Sequence, residues 1–549
     1  MTLRSTPVPM PPKKIVFKRA TNGTTYVYFT LRAYRNKRGN PTSDVTAIGK
    51  LEPTTGMLIP NQRYFEMFGQ AAHPEPQVSE AESVIPTSDV STNRHALPVR
   101  VACYGISYAL HRMASDIGLI GILSKCLPEH HAQVLGLASY ILAEGNAMMY
   151  LQDWFDETEV FFTRRLDDRN CSQVYRTLTH GTQSLFFSEW LSYRRECEYL
   201  AYDVTSISTH ARGIDFAEWG YNRDGDQLPQ VNLAMFVGAQ SGLPVCYSLY
   251  NGSISDKSRF ENTLETMSKL GMTNSRLVFD RGFVAADNMK FLNDRQCLFA
   301  TAMPLELVEA RRLVDAVKNS IQCAANRLDE QKVFATSCDS IVYGFKMKAH
   351  VYYDPEKRVA DEEALFARVT RLRDELEKMA RTKRATKKYT DLFDIQQDEA
   401  GISFSQSNER IDEILGRTGH FVLLTNDERL SSAEVLSIYR GRDVIEKSFE
   451  QLKNDLDFRR LRTHGNQTTD AKMFLGFVAL ILRSHLQKKI KGDAATKRLT
   501  VDKVLRELRK IKLVEFQDRS RKVMTLTKLQ KTILAAIGIQ PNELIESVA

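Results

Sequence analysis

Apolar residues alternate with period two in several short runs between residues 197 and 302, and glycine-containing turns separate most of these runs. Strand patterns cover 199–207, 231–238, 245–250, 275–279 and 297–302, and helical spacing covers 258–270 and 285–294. Three consecutive strands are therefore followed by alternating helices and strands. This order predicts a mixed sheet with helices packed on it.

Helical spacing dominates 97–196, where strand signals are few, so we predict a helical region there. Nearer the N-terminus, two β-rich runs at 25–34 and 44–51 flank a basic, turn-rich loop, which is typical of a hairpin. We expect four of its aromatic residues to form a small core: Tyr26, Tyr28, Phe29 and Tyr34. Residues 74–96 carry proline, serine and acids without apolar periodicity, which predicts a linker.

Residues 303–418 interrupt the alternation of strands and helices, because they contain a strand pair near 340–353 and a charged helix at 361–384. The apolar stripe of that helix favours an intrachain hairpin over packing against a partner subunit, and consists of Leu365, Val369, Leu372 and Leu376. Because a strand pattern resumes at 420–425, we interpret 303–418 as an inserted subdomain. Helices are predicted at 432–458 and 471–488, followed by a basic helical tail.

Charge is distributed unevenly along the 549 residues, whose net charge is +8. The first 50 residues carry a net charge of +9 and residues 451–530 carry +12, while residues 51–450 carry −12. A polyanionic partner gripped by two basic flanks would explain this distribution. Basic termini that serve only solubility would explain it equally well.

Several classes of protein are excluded or disfavoured by composition. The hydrophobic content of 43% excludes a disordered chain, and the apolar run 473–482 is too short to span a bilayer. The first twelve residues lack a signal-peptide pattern, so we expect a cytoplasmic protein. Eight scattered cysteines without a C-x-x-C pair indicate buried, reduced thiols, and the absence of a phosphate-binding glycine loop argues against a nucleotide cofactor.

Two acids lie in strands that are otherwise apolar. Asp203 lies within the run YLAYDVTSIS, and Asp280 ends the strand of LVFDRGF, just before a glycine turn. Strand ends are where open α/β sheets place ligands. An acid that caps a turn is the structural alternative, and it applies more readily to Asp280 than to Asp203.

The predicted helix 432–458 concentrates functional side chains on one face. Tyr439, Arg442, Glu446 and Lys453 fall within roughly 60° of one another on a helical wheel. An apolar stripe that would dock the helix on the sheet lies beside them, at Ile438, Ile445, Phe449, Leu452 and Leu456. A solvated charged face is the ordinary explanation of such residues, but it does not account for the two strand acids.

Converging carboxylates suit a specific chemistry. Two or three of them can hold a pair of divalent ions about 3.5–4 Å apart, which activate the attacking oxygen and stabilise the leaving oxygen in phosphodiester cleavage. Mg²⁺ prefers such oxygen ligands. Arg442 and Lys453 would bind the neighbouring phosphates.

The spacing Tyr439-x2-Arg442-x3-Glu446-x6-Lys453 resembles the Y-R-E-K signature of bacterial insertion-sequence transposases of the DDE type, in the insertion-sequence-four-like superfamily. Asp203 and Asp280 look like the first two catalytic acids of that family, and Glu446 like the third. The resemblance covers about 197–302 and 419–490. It implies a ribonuclease H-like core, transposition with Mg²⁺ or Mn²⁺, and DNA contacts by Tyr439, Arg442 and Lys453.

Together these patterns predict a multi-domain α+β protein. Its ribonuclease H-like core is a mixed sheet with helices, interrupted by an α/β insertion and accompanied by N-terminal β-rich and helical domains and a helical C-terminal tail. The predicted segments are a basic β-hairpin DNA-binding domain (1–73), a linker (74–96), a helical DNA-end-binding domain (97–196), the core's first part (197–302), the insertion (303–418), the core's second part (419–490) and a basic helical region (491–549).

Further DNA contacts are expected from residues outside the Y-R-E-K pattern. The basic hairpin fits the major groove, with cations at Lys13, Lys14, Arg35, Lys37 and Arg38. Asn222, Arg223 and Gln230 could contact the strand near the metals, but a polar turn explains them at least as well. Asp256 could assist the metals, although N-capping of the next helix is the better explanation. His420 and His464 lack partners at metal-ligand spacing and are interpreted as structural.

The sequence departs from related enzymes in one respect. Those enzymes use an aromatic residue of the insertion to hold a base that is flipped out of the duplex. The tryptophans here are Trp154, Trp190 and Trp219, all outside 303–418, which leaves Tyr343, Tyr352 or Tyr353 as substitutes.

The function predicted from sequence is hydrolysis of a phosphodiester at the element's ends, followed by attack of the 3′-OH on target DNA. By analogy with the family, the enzyme is expected to act as a homodimer on double-stranded DNA, in association with the bacterial nucleoid. The alternatives are a metal-dependent nuclease or resolvase on the same fold, and a non-catalytic DNA-binding descendant.

Overall fold

The computed structural model describes residues 15–19, 24–35, 41–52, 57–68, 98–194, 198–271, 276–378, 387–398 and 401–548. The chain divides into two units, Met1–Arg94 and His95–Ala549. The predicted linker lies outside the described residues. The finer division into seven segments stays a prediction.

The described residues of the first unit form a four-stranded antiparallel sheet in chain order and one helix. Its elements are β1 (Ile15–Arg19), β2 (Thr25–Arg35), β3 (Pro41–Leu51), β4 (Leu58–Pro60) and α1 (Gln62–Phe68). The predicted hairpin is therefore confirmed as β2 and β3.

The core of the first unit differs from the expected one. It consists of Val27, Ile48, Leu58 and Tyr64, with Phe29 packed against it. Tyr26 and Tyr28 alternate with Val27 and Phe29, so they belong to the other face of β2. There they lie under Lys50 and Lys18, whose ammonium groups are 5.6 and 4.9 Å from the ring centres. The expectation that Tyr26 and Tyr28 form the core is wrong, and the side chain of Tyr34 is not described.

Among its described residues, the second unit contains one large mixed sheet and two small sheets. Its strands are β5 (Pro98–Cys103), β6 (Leu200–Thr209), β7 (Gln230–Gly238), β8 (Pro244–Asn251), β9 (Arg276–Phe279), β10 (Leu298–Met303), β11 (Arg327–Leu328), β12 (Val333–Val342), β13 (Phe345–Tyr353), β14 (Phe393–Asp398), β15 (Gly401–Gln406), β16 (His420–Thr425), β17 (Arg460–Leu461), β18 (Lys512–Phe516) and β19 (Arg521–Val523).

The large sheet has the order β11-β12-β13-β16-β10-β9-β6-β7-β8, and β17 also pairs with β6. Strand β9 runs parallel to both β6 and β10, while β7 and β8 are antiparallel neighbours on one side. The predicted mixed sheet is confirmed, with strand bounds within two residues of those expected for β6 to β10.

The second unit also contains helices. They are α2 (Gly105–Asp116), α3 (Leu119–Cys126), α4 (His131–Glu144), α5 (Leu151–Glu157), α6 (Asp168–Thr177), α7 (His180–Arg194), α8 (Asp256–Lys269), α9 (Ala286–Asp294), α10 (Val308–Val317), α11 (Pro355–Glu377), α12 (Lys387–Thr390), α13 (Asn408–Leu415), α14 (Ser432–Gly441), α15 (Asp443–Glu450), α16 (Asn466–Gly492), α17 (Val501–Arg509), α18 (Lys528–Ala536) and α19 (Pro541–Glu546). Short 3₁₀ turns occur at Met148–Tyr150, Arg281–Phe283 and Ala324–Asn326, and a π-helix occurs at Gln451–Asp455.

Two regions pair differently from expectation. The hairpin of the 303–418 segment does not stand apart, because β13 pairs with β16 and extends the main sheet. The C-terminal region is not wholly helical, since β18 pairs with β19 and with β5, which joins the end of the chain to the start of the second unit. Leu513 and Val523 bury their side chains in this small sheet.

The apolar stripe of α11 packs within the chain. Leu365, Val369, Leu372 and Leu376 are buried against Leu392, Phe393 and Ile411. The preference for intrachain packing is thereby confirmed for this helix.

Helix α16 is buried along most of its length, where it packs against α2, α4 and α6 and against strand β8 of the sheet. Gly476 faces the ring of Phe458, and a Cβ at this glycine would lie 2.4 Å from the ring. The ring therefore packs directly on the helix backbone and anchors the chain just beyond α15.

No single helix in the described ranges is long and apolar enough to cross a bilayer. Helix α4 and the stretch Met148–Glu157 reach the required length and composition only together, as a pair bent by 106°. The seven cysteines in the described ranges form no disulfide, and four of them are buried as expected. Cys323 and Cys338 are exposed, contrary to the expectation of buried thiols, and Cys197 lies outside the described residues.

Substituting Phe458 with alanine should remove the ring that fills the space over Gly476. Because Phe458 is completely buried, we expect the free energy of unfolding to fall by about 3–5 kcal/mol in urea titrations. Phe366→Ala is the control, since the Phe366 side chain is 49% exposed and its loss should cost no more than about 0.5 kcal/mol. Equal losses in the two variants would contradict the anchoring role.

Candidate functional site

The two strand acids lie on neighbouring parallel strands in the same register. Tyr202 of β6 lies opposite Phe279 of β9, so the next residues, Asp203 and Asp280, lie side by side. Paired strands are about 4.8 Å apart, and residues in register point to the same face. The fold therefore brings these two predicted acids together.

An aromatic cluster on the opposite face sets this register. The rings of Tyr202 and Phe279 are buried, and each packs against Phe260 of α8, with centroids 5.0 and 5.3 Å apart. Phe283, in the turn after Asp280, completes the cluster. Since neighbouring residues on a strand point to opposite faces, burying these rings turns both aspartates toward the site.

Asp203 is largely withdrawn from water. Its Oδ1 accepts a hydrogen bond from the backbone N–H of Val204 at 2.8 Å, and Nη1 of Arg223 lies 3.7 Å from the same oxygen. Burial raises the pKa of Asp203 to about 6, and the cationic Arg223 and Arg442 oppose that shift. Asp203 thus holds its proton more tightly than an exposed aspartate does.

The helix that carries the Y-R-E-K residues is interrupted twice. Ser431 caps α14 in a capping box with Glu434, and α14 ends at a turn centred on Arg442. The N–H of Arg442 bonds to the carbonyl of Tyr439 three residues back, while Gln451–Asp455 form a wider π-turn. The helix is wound more tightly at Arg442 and more loosely at Gln451–Asp455. A helical wheel assumes one uniform period, so neither deviation could be predicted from the sequence.

The docking face of this helix is as predicted. Ile445, Phe449, Leu452 and Leu456 are buried, and Ile438 is partly buried against the same core. Residues of α15 contact both β6 and β7, so the helix lies against the strand that carries Asp203.

Glu446, Arg442, Tyr439 and Asp280 form a chain of contacts. Nη2 of Arg442 lies 2.9 Å from Oε1 of Glu446, and the Arg442 guanidinium lies 5.6 Å from the centre of the Tyr439 ring. The Tyr439 hydroxyl donates a long hydrogen bond of 3.5 Å to Oδ1 of Asp280. Burial raises the pKa of Tyr439, which keeps the phenol protonated as a donor. The helix and the second aspartate are thereby connected.

Lys453 engages a loop that the sequence analysis had not connected to it. Its Nζ lies 2.7 Å from Oδ2 of Asp224, in the loop between β6 and β7. Nearby, Nη1 of Arg460 lies 2.6 Å from Oδ2 of Asp226. Asp224, Asp226 and Arg460 were missed by sequence reasoning. The closely spaced charges of the loop sequence NRDGD were the available signal.

Two cavities open at the site. One, of about 460 Å³, is lined by Asp203, Arg223, Asp224, Glu446 and Lys453, among others. The other, of about 480 Å³, is lined by residues that include Asp280, Arg281, Lys357 and Tyr439. The first two predicted acids therefore lie side by side in the sheet but line different cavities.

The carboxylates of Asp203, Asp280 and Glu446 are of the type that binds a hard divalent cation, but the three do not converge on one position. Within the described ranges, no group of three or more His, Cys, Asp or Glu side chains is placed to hold a metal ion. Asp203 and Asp280 supply adjacent carboxylates of the type Mg²⁺ prefers. Glu446 is turned to Arg442, and its side chain is 53% exposed, so the carboxylate can reach another partner once this ion pair opens.

Several weaker candidates have structural roles. Asn222 closes the loop turn by accepting the N–H of Asp224, and Gln230 is buried and donates to the carbonyl of Tyr221. His420 is buried beside the carbonyl of Thr418, whereas His464 is exposed at the rim of another cavity. Asp256 is the first residue of α8, and its side chain is not described.

Most of the basic residues near the N-terminus that are predicted to contact DNA lie outside the described residues. Lys13, Lys14, Lys37 and Arg38 are outside the described residues, and only the backbone of Arg35 is described, at the end of β2.

The aromatic candidates for holding a base divide by exposure. Tyr352 and Tyr353 are buried, whereas Tyr343 is 40% exposed in the turn between β12 and β13, with a φ of +52°. Trp154 and Trp190 are buried and Trp219 is exposed.

The raised pKa of Asp203 predicts a pH-dependent stability in metal-free protein. Asp203 titrates near pH 6 when folded and near 3.8 when exposed, so folding favours its protonated form. The contribution of Asp203 to the free energy of unfolding is fully present below about pH 4 and is lost as the pH rises through about 6. Asp203→Asn should therefore raise the free energy of unfolding by about 2–3 kcal/mol at pH 7.5 and hardly change it at pH 4. Equal gains at both pH values would contradict this assignment.

Comparisons with known proteins assign the chain to a family. The family model described as "Transposase DDE domain" matches residues 198–482, just over half of the chain, and this region contains both aspartates and the Y-R-E-K helix. No curated protein sequence gives a significant match. Among solved structures, the piggyBac transposase synaptic complex with hairpin DNA matches at 10% identity, covering 74% of this chain and 76% of that chain, with a TM-score of 0.35. The chain belongs to the DDE transposase family, and it is accordingly a transposase.

Proposed function

We propose that this transposase cleaves DNA at the ends of an insertion sequence and joins the freed 3′-OH to target DNA, in a divalent-metal site formed by Asp203, Asp280 and Glu446. The observation that carries the proposal is the register of β6 and β9, which puts two aspartates side by side on a surface that also receives the Glu446 helix. A ribonuclease H-like core of the Y-R-E-K subfamily fits this arrangement.

Asp203 and Asp280 would hold the cation between adjacent strands, because both carboxylates leave the sheet on the same face. When bound, Mg²⁺ or its substitute Mn²⁺ would stabilise the negative charge that develops on the attacking and leaving oxygens. Burial of Asp203 disfavours its ionised form in the metal-free protein. A nearby divalent cation would reverse this preference, so proton release from Asp203 would accompany cation binding.

Arg442 connects the third acid to the DNA. In the structure it pairs with Glu446, and its Nε is buried without a hydrogen-bond partner among the described residues. Transfer of the Glu446 carboxylate to the cation would free the guanidinium for a phosphate, which it can bind through two parallel N–H donors. Tyr439 would hold Asp280 and flank the same guanidinium.

Cationic residues at the site and elsewhere in the chain would bind the phosphates of double-stranded DNA. We assign this role to Lys453 and Arg223 at the site, and to the cations of the N-terminal hairpin region and the helical region 97–196. A homodimer would pair the two ends of the element. The net charge of +9 in the first 50 residues and of +12 in residues 451–530 supports this assignment, since phosphate contacts provide most of the affinity for DNA.

The direct test uses a DNA fragment that carries the terminal inverted repeats flanking the gene, incubated with supercoiled target DNA and Mg²⁺. We expect cutting at the ends and joining to the target, both abolished by a chelator. Asp203→Asn, Asp280→Asn and Glu446→Gln should each reduce both steps by at least about 10³-fold, because each removes a ligand of the same metal site.

Asp443→Asn is the matched control for Glu446→Gln. Asp443 lies one turn earlier on α15, where it pairs with Lys447 on the exposed side, so its loss should leave the activity within about twofold. Circular dichroism and thermal melting check that each variant is folded. Retained activity in all three acid variants would contradict the proposed metal site, and cutting without joining would indicate a nuclease instead.

A further inference from the structure

The loop between β6 and β7 carries three charged side chains that each face an opposite charge of the site. Arg223 lies 3.7 Å from Asp203, Asp224 lies 2.7 Å from Lys453, and Asp226 lies 2.6 Å from Arg460. One short segment therefore neutralises a catalytic acid and two cations at the same time.

A compact turn presents the two acids of this loop. Oδ1 of Asn222 accepts the N–H groups of Asp224 at 2.9 Å and of Asp226 at 3.3 Å. Gly225 between them has a φ of +73°, which favours glycine. The turn is secured to β6 because Asn222 donates to the hydroxyl of Ser208 at 3.0 Å. One turn thereby holds two carboxylates against two cations of the site.

The two cations belong to elements that lead away from Glu446. Lys453 lies in the π-helix directly after α15, and its side chain is only 10% exposed. Arg460 lies in β17, which pairs with β6 beyond Asp203. The cavity between the loop and the π-helix is lined by Lys453 together with Asp203 and Glu446, and by Arg459, the residue before Arg460. A strand that reaches the acids therefore passes Lys453 and the segment that carries Arg460.

We propose that Lys453 and Arg460 bind two neighbouring phosphates of the DNA strand that enters this cavity, and that Asp224 and Asp226 are intramolecular substitutes for those phosphates. The inference rests on the proposed function, and it adds Arg460 and the two loop acids to the site. Breaking either of these partly buried ion pairs has a cost, because it leaves a partly desolvated charge unpaired. Exchanging a carboxylate for a phosphate keeps each cation paired, so DNA can displace the loop at a much lower cost.

Displacement of the loop would also affect the first acid. Arg223 is on the same turn as Asp224, so withdrawal of the loop would remove this guanidinium from Asp203. Arrival of the DNA strand would thus release the carboxylate that the cation needs. Substrate entry and completion of the metal site would be coupled through one segment.

The test measures the affinity of the full chain for a fluorescent duplex by anisotropy, with a chelator present so that no cleavage occurs. Asp224→Asn keeps a hydrogen-bond acceptor for Lys453 but removes the competing charge. We expect it to tighten DNA binding about 3- to 10-fold at low salt, and Asp226→Asn to act similarly through Arg460. Each gain should disappear when the cognate cation is also replaced, in Asp224→Asn/Lys453→Gln and in Asp226→Asn/Arg460→Gln.

Asp339→Asn is the matched control. Asp339 pairs with Lys346 at 3.2 Å in the β12–β13 hairpin, and both side chains are well exposed, so the net charge changes equally at a distant position. We expect its effect on DNA affinity to stay below about twofold. An equal gain in Asp339→Asn, or a gain in Asp224→Asn that persists with Lys453→Gln, would overturn the proposal.

A second measurement avoids the loop variants in case they fold poorly. The logarithm of DNA affinity falls linearly with the logarithm of salt concentration, with a slope of about 0.9 for each phosphate contact. Lys453→Gln and Arg460→Gln should each lower the wild-type slope by about one, and unchanged slopes would overturn the proposal. If the protein cuts and joins DNA but the variants show none of these effects on DNA binding, only this inference is rejected. If the effects on DNA binding are observed but the protein neither cuts nor joins DNA, only the proposed function is rejected.

Discussion

The in-register pairing of β6 with β9 is the constraint on which the site depends. The aromatic residues beside the two acids are buried against Phe260, and this burial determines the face to which Asp203 and Asp280 point. A slip of one residue would expose the rings and bury the carboxylates among them, at a cost set by large apolar surfaces rather than by the acids themselves. The hydrophobic core therefore positions the polar site.

In the absence of a metal, side chains from separate elements act as partners of the three acids. Arg223 of the β6–β7 loop faces Asp203, Arg442 between α14 and α15 faces Glu446, and Tyr439 donates to Asp280. Each of these groups neutralises or hydrogen-bonds a carboxylate of the proposed metal site. Under the proposed function, binding of a cation would therefore be an exchange of partners, in which these contacts open before the carboxylates converge.

Much of the core could be predicted from sequence because its signals are local. Alternating apolar residues predicted β6 to β10, and the apolar stripe from Ile445 to Leu456 predicted the docked face of the helix. What was missed depends on contacts between distant segments. The pairing of β5 with β18, the addition of β13 to the main sheet, and the contact of Lys453 with Asp224 join residues far apart in the chain. The turn at Arg442 and the π-helix were missed for a different reason, since both are deviations from the regular period that the prediction assumed.

The uneven charge of the chain acquires a different meaning in the folded protein. The basic segment 451–530 begins within the site, and some of its cations are already paired: Lys453 and Arg460 with acids of the net acidic middle segment, and Arg483 with Asp455 of its own segment. These cations are only partly accessible, so they contribute little to long-range attraction of a polyanion. Exposed lysines and arginines elsewhere must provide that attraction. Under the proposed exchange, the paired cations would act only at short range, where a phosphate replaces a carboxylate, and they would therefore favour a strand that is already correctly placed over one that is merely nearby.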